Sequence, residues 1–219
     1  MPSAGTPVGA LVKPRLRGVS HEIAAVVALV AGAVLVWHTR SAAARHGAMV
    51  YAACLTALFA ISAAYHRPTW KPRARQWMRR LDHAGIFLLI AGTYTPMCLA
   101  LAPHDGHLLR AVVWAGAAAG VLQSLLWITA PKPLIAVIYV VLGWSVIPYV
   151  PRMYAITGAW PLALLLAGGV VYSLGAVVYA RKRPDPAPAV FGYHEVFHAL
   201  VIAAAALHFA AVTRVVTHV

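Results

Sequence analysis

Seven runs of apolar residues, each long enough to cross a lipid bilayer as a helix, constrain this chain more than any other feature. A hydrocarbon core about 30 Å thick takes roughly 20 residues at 1.5 Å rise per residue. The runs cover 22–39, 47–66, 82–102, 109–130, 133–151, 160–180 and 193–213. The breaks between them are basic or helix-ending. Arg40, Arg45 and His46 lie in the first, and 67–80 holds two prolines and six basic residues. Pro103 to His107 forms the third and Pro131-Lys132-Pro133 the fourth. The fifth covers 152–158, and Arg181-Lys182-Arg183-Pro184 opens the sixth. The fourth is the weakest, which leaves six spans as the alternative count.

Composition points the same way. Of 219 residues, 62% are hydrophobic and 11% charged, too little polar surface for a soluble domain of this length. Seven spans consume about 140 residues and leave only short loops. The expected architecture is an all-α membrane protein, a seven-transmembrane helix bundle. Residues 1–21 would be a cytoplasmic N-terminal tail, 22–213 the transmembrane domain and 214–219 a C-terminal tail. The first apolar run is too long for a signal-peptide core and reads as a retained helix that also directs insertion.

The formal charge of +13 does not argue for nucleic acid, because the basic residues sit in the breaks instead of along one amphipathic face. No nucleic-acid partner is expected. Their placement instead sets orientation. With seven spans and the N-terminus inside, thirteen Lys/Arg fall in inside segments and five outside, the asymmetry of a protein with its N-terminus cytoplasmic and its C-terminus outside. Anionic phospholipid is the expected partner of the basic cytoplasmic loops. Cys54 and Cys98 each fall inside an apolar run and read as small core residues. Pro96 and Pro148 lie inside the third and fifth runs and read as transmembrane kinks.

Among polar residues at membrane depth, those near the cytoplasmic face converge. The second run ends in Ser62-Ala-Ala-Tyr-His66, the third begins at Asp82-His83, and the seventh begins Tyr193-His194-Glu195-Val-Phe-His198. Span counting puts all of these on one face. His194 and His198 are one helical turn apart, as are Ser62 and His66. Two imidazoles at that spacing, joined by a third from another helix, suit a zinc ion with an open fourth position. The ordinary alternative is a set of hydrogen-bonded interior histidines. His194 to His198 also matches the HExxH pattern of zinc proteases, but Glu195 would point about 100° away from the ligand face. His21 and His83 are expected at the interface, with a place beside the zinc ligands as the alternative. His208, deep in the seventh run, is expected to bond a neighbouring helix. His38, His46, His104, His107 and His218 are expected to be solvated. Glu22 reads as a carboxylate favoured at a helix N-terminus.

These residues resemble the hemolysin III family, the bacterial branch of the progestin and adipoQ receptors in a ceramidase-like superfamily. The matching pieces are Ser62 to His66, Leu81-Asp82-His83-Ala-Gly-Ile86 running into Ala91-Gly-Thr-Tyr-Thr-Pro96, Gly143-Trp144, and His194 to Val201. The resemblance covers nearly the whole chain. It implies a multi-pass protein of the bacterial plasma membrane, with zinc (Zn2+) held by His66, His194 and His198. It further implies that Asp82 holds the zinc-bound water and that Ser62 stands behind it.

The reading that follows is zinc-dependent hydrolysis of a membrane lipid amide or ester. A +2 centre would lower the pKa of its water to about 7. Asp82 would take the proton, and Ser62 would steady the oxyanion or the water. A similar constellation in alkaline ceramidases, which the family resembles, is an analogy. Two other readings stand beside it. One is a receptor or membrane sensor with structural zinc. The other is a pore-forming cytolysin, as the family name implies, although no amphipathic pore-lining stretch is present.

Overall fold

The computed structural model describes residues 13–218, so most of the expected N-terminal tail, residues 1–12, lies outside the described residues. The helices are α1 Val19–His38, α2 Ala42–His66, α3 Pro72–Met97, α4 Pro103–Leu126, α5 Lys132–Gly143, α6 Val150–Thr157, α7 Ala159–Arg181 and α8 Tyr193–His218. Short 3-10 turns at Cys98–Ala100 and Ile147–Tyr149 follow α3 and precede α6. With α5 and α6 taken as one span, seven helical segments are long and apolar enough to cross a membrane. The chain is a seven-span membrane helix bundle.

Local chemistry sets the boundaries. Prolines in the first turn open α3, α4 and α5, where the missing N–H would have had no partner anyway. The Ser41 hydroxyl caps α2 by accepting the Ala44 N–H at 3.1 Å. The fourth break is real: α4 stops at Leu126 and α5 starts at Lys132. The third helix begins at Pro72, ten residues before its apolar run. Residues 72–81 are polar but rich in strong helix formers. Four of the six basic residues of that break, Arg73, Arg75, Arg79 and Arg80, therefore stand on α3 itself. At the other end of the chain, α8 runs on through the expected 214–219 tail to His218, with Val215 and Val216 buried.

The fifth span is broken at its centre. Pro148 cannot donate a backbone hydrogen bond, and α5 ends at Gly143. The Tyr94 hydroxyl, from α3, closes the gap by donating to the Gly143 carbonyl at 2.7 Å and accepting the Val146 N–H at 2.9 Å. The Trp144 indole beside it donates to Ser173 Oγ on α7 at 2.9 Å. In lipid such backbone groups have no water to fall back on.

Of all the spans α3 is the most buried, and it packs against α2, α4, α5 and α8. In turn α8 packs against α1, α2, α3 and α7. Apolar side chains such as Ile23, Val26, Val27, Val30, Val137 and Val141 point outward, as expected where the solvent is lipid. Cys98 is buried and Cys54 half-buried, both as free thiols.

Residues 13–18 lie across the face where α2 ends and α3 and α8 begin. Arg15 and Leu16 donate their N–H groups to the carbonyls of Ala189 and Val190 at 3.1 and 3.2 Å, and the Lys13 ammonium reaches the Arg67 carbonyl at 2.8 Å. Gly18 turns the chain into α1 with φ of 83°. A Cβ placed there would stand 2.7 Å from His66 Cβ, so both the turn and the close approach require glycine.

Two stability predictions follow from these contacts. Tyr94→Phe removes the only side chain that satisfies Gly143 O and Val146 N, and it should cost about 1–3 kcal/mol, read as a lower unfolding midpoint in detergent. Gly18→Ala should cost a similar amount, about 1–3 kcal/mol, from strain at positive φ. It should also displace His66, so its loss of thermal stability should come with reduced metal uptake, whereas Tyr94→Phe should lower stability alone.

Candidate metal centre

Two helices deliver the three imidazoles. His66 is the last residue of α2, and His194 and His198 face it from the first two turns of α8. One nitrogen from each ring falls within 4.8 Å of the others. The Nε2 atoms of His66 and His194 are 3.1 Å apart. At that distance either one ring donates its proton to the other or both lone pairs face a cation. The ring centroids of the three lie 4.5 to 5.0 Å apart in tilted pairs.

The donor set fits a metal ion. The three imidazoles together form a neutral nitrogen cage of the kind that zinc and other borderline metals prefer. His198 Nδ1 is buried with no hydrogen-bond partner, a deficit that a bound ion or water would satisfy.

Asp82, in the third turn of α3, brings Oδ2 to 3.8 Å from His66 Nε2. Ser62, one turn before His66, lies beside the Asp82 carboxyl and is buried. All five residues singled out in the sequence are therefore brought together.

His21 departs from the interfacial position expected of it. It is 3% exposed, and its ring stacks on that of His198 at 3.8 Å between centroids and 10° between planes. Both of its nitrogens lack a partner. The reason is packing: α1 lies against α2 and α8, so its first turn is inside the bundle. Counting spans placed the start of α1 on the same face as His66, a signal that could have found it. His83 lines the adjoining cavity, with its ring 6.5 Å from that of Tyr179. His208 bonds the Leu165 carbonyl of α7 at 3.0 Å. The solvated expectation agrees with the exposure of His38, His46, His104, His107 and His218, although all five sit on helices.

Glu195 points away from the cluster. Its Oε1 pairs with Arg17 and its Oε2 accepts the Gly192 N–H at 2.9 Å, so it closes the start of α8. Glu22 pairs with Arg67 at 2.8 Å. A cavity of about 710 Å³ opens beside the histidines. Tyr65, His66, Asp82 and His194 line its upper part, and Thr93, Tyr94, Trp144 and His208 its depth.

The family described as haemolysin-III related matches residues 10–209. Hemolysin-3 of Bacillus cereus is 30% identical, with 87% of this chain and 86% of that protein aligned. The human monocyte to macrophage differentiation factor is 28% identical over 89% of this chain and 81% of its own length. An adiponectin receptor protein of Drosophila melanogaster is 32% identical over 59% of this chain and 33% of its own. The family match spans most of the chain, the seven spans and the three-histidine cluster included, and the chain belongs to the haemolysin-III-related family.

Proposed function

We propose that this chain is a zinc-dependent hydrolase of membrane lipid amides or esters, seated in the bacterial plasma membrane with its N-terminus in the cytoplasm. The observation that carries this reading is one arrangement: three converging imidazoles and a carboxylate at the head of a cavity that continues into the apolar bundle. The charge asymmetry of the loops supports the orientation. In that orientation the histidine cluster would lie in the cytoplasmic leaflet.

His66, His194 and His198 would hold the ion. Zinc so held supplies Lewis-acid polarisation of a carbonyl oxygen and a water acidic enough to ionise near neutral pH. Asp82 accepts the proton of the attacking water and delivers it to the departing nitrogen or oxygen as the acyl bond breaks. Ser62 steadies the Asp82 carboxyl. His21, stacked on His198, fixes the plane of that ring, as groups around metal ligands commonly do. Tyr65 and Tyr193 flank the upper cavity and limit water around the reacting carbonyl.

A second reading is zinc as a structural tie in a receptor or sensor. The observation favouring it is that the cluster joins the end of α2 to the start of α8 while α1 stacks behind. The two readings part on Asp82, which a tie does not need.

Purified protein should carry about one zinc per chain, and His194→Ala/His198→Ala should reduce this to background by elemental analysis. Zinc retained by that variant would remove the basis of both readings. Asp82→Asn should keep its zinc and fold but lose about 10²–10⁴-fold in hydrolysis of lipid amide or ester substrates. Full turnover in Asp82→Asn, or in chelator, would overturn the hydrolase.

A further inference from the structure

Three cations that line the cavity have no carboxylate within ion-pairing distance among the described residues. Arg75 and Arg79 stand one turn apart on the first turns of α3, and both line the cavity. Lys132, at the start of α5, lines it from another side. The Lys132 ammonium is caged by aromatic rings, 4.5 Å from the Tyr179 centroid and 5.7 Å from that of Tyr193. Arg17 also lines the cavity, but Glu195 neutralises it.

Each of the five carboxylate side chains has another partner, although Asp82 lines the same cavity. Glu22 pairs with Arg67, Glu195 with Arg17 and Asp105 with Arg152. Asp185 accepts the Tyr193 N–H at 2.7 Å, and Asp82 faces His66. Residues 1–12 contain no acidic residue. Like charges gathered around one opening repel each other and focus a positive potential into it. Orientation in the membrane does not require this placement. Arg73, Arg181 and Arg183 are exposed and outside the cavity, where they would meet lipid heads as ordinary basic loop residues do.

Below the cations the lining changes character. Leu58, Ile86, Leu89, Ile90, Phe197 and Val201 form an apolar trunk, and His66, Asp82 and His194 lie alongside its upper end. Two guanidinium forks and an ammonium suit the several acceptor oxygens of a phosphate better than a single hydroxyl or a zwitterion.

We propose that this cavity binds a phosphate-bearing amphiphile, with its phosphate among Arg75, Arg79 and Lys132 and its acyl chain in the apolar trunk. The linkage between head and chain then lies beside the histidine cluster. That last placement rests on the hydrolase reading, whereas the binding itself does not. The substrate class becomes an anionic phospholipid or phosphorylated sphingolipid in place of a neutral lipid amide.

The test is binding to the purified full chain in a non-ionic detergent, read as thermal stabilisation. The probes are dioctanoyl phosphatidic acid, dioctanoylglycerol, and inorganic phosphate. Phosphatidic acid should bind at least about tenfold more tightly than dioctanoylglycerol, the difference one charge-assisted hydrogen bond makes. Arg75→Gln/Arg79→Gln/Lys132→Gln should abolish that preference, and Arg73→Gln/Arg181→Gln/Arg183→Gln should keep it. The single variants Arg75→Gln and Arg79→Gln should each show part of the loss, which guards against misfolding of the triple variant. Equal binding of dioctanoylglycerol, or equal loss in both triple variants, would overturn the phosphate site. Inorganic phosphate binding as tightly as the lipid would overturn the acyl half. Anionic lipid that binds but is never cleaved would sink the hydrolase and leave this site standing.

Discussion

A polar group at membrane depth must find its partner within the chain, and most of this structure can be traced to that requirement. Hydroxyls within the spans turn back to the preceding helical turn: Thr93 to Leu89, Thr95 to Ala91, Ser124 to Gly120, Ser173 to Gly169 and Thr213 to Phe209, at 2.8 to 2.9 Å. Such bonds satisfy the side chain without asking for water. The same rule explains why the broken fifth span is tolerable. Its loose backbone groups face Tyr94 on α3, so the most buried helix acts as a polar patch for the least regular one. It also explains His208, whose ring reaches the Leu165 carbonyl across a gap that Gly168 leaves open. A Cβ on Gly168 would stand 2.2 Å from that imidazole.

Exceptions to the rule are concentrated. Of the seven buried side-chain polar atoms without a partner among the described residues, three belong to His21 and His198, two are the hydroxyls of Tyr51 and Tyr172, and the others are Arg80 Nε and Gln123 Oε1. The tyrosines lie deep in the bundle near His208, and the histidines surround the metal-competent cluster. An unpartnered buried nitrogen is costly, and three of the seven such atoms gather at this one place. The stack of His21 on His198 keeps water from the rear of the cluster, and the Arg17–Glu195 pair ties the chain beside it. Together these leave the cavity side as the direction from which a ligand can reach the histidines.

Much of this was legible in the sequence because helix periodicity and bilayer thickness leave few choices. The seven spans and the convergence of Ser62, His66, Asp82, His194 and His198 follow from counting alone. Three features did not, each for a physical reason. The first ten residues of α3 carry no apolar run, so hydropathy hides a helix whose formation rests on propensity and a first-turn proline. That masked the alignment of Arg75 and Arg79 with Asp82 along one element. The interruption of α5 is written only as Gly143 and Pro148, which a membrane helix also tolerates without breaking; Tyr94, remote in sequence, decides it. His21 looked interfacial because burial of a first turn depends on which helices flank it, and one sequence does not state neighbours.

The HExxH pattern shows how geometry reassigns a motif. In a zinc protease of that type the glutamate must reach the metal's open side, yet here it lies one residue beyond a ligand on a helix whose other face packs inward. Glu195 is buried, and both its oxygens are engaged, one by Arg17 and one by the Gly192 N–H. Freeing it would strand a half-buried guanidinium and uncap the turn that aims His194. The only carboxylate left near the histidines is Asp82, which comes from a different helix and opens onto the cavity. The cluster is thus built across α2, α3 and α8, and a small change in how those helices cross would separate Asp82 from the histidines. Burial against α2, α4, α5 and α8 fixes that crossing, so the most buried span is also the one whose carboxylate must keep its place beside the histidines.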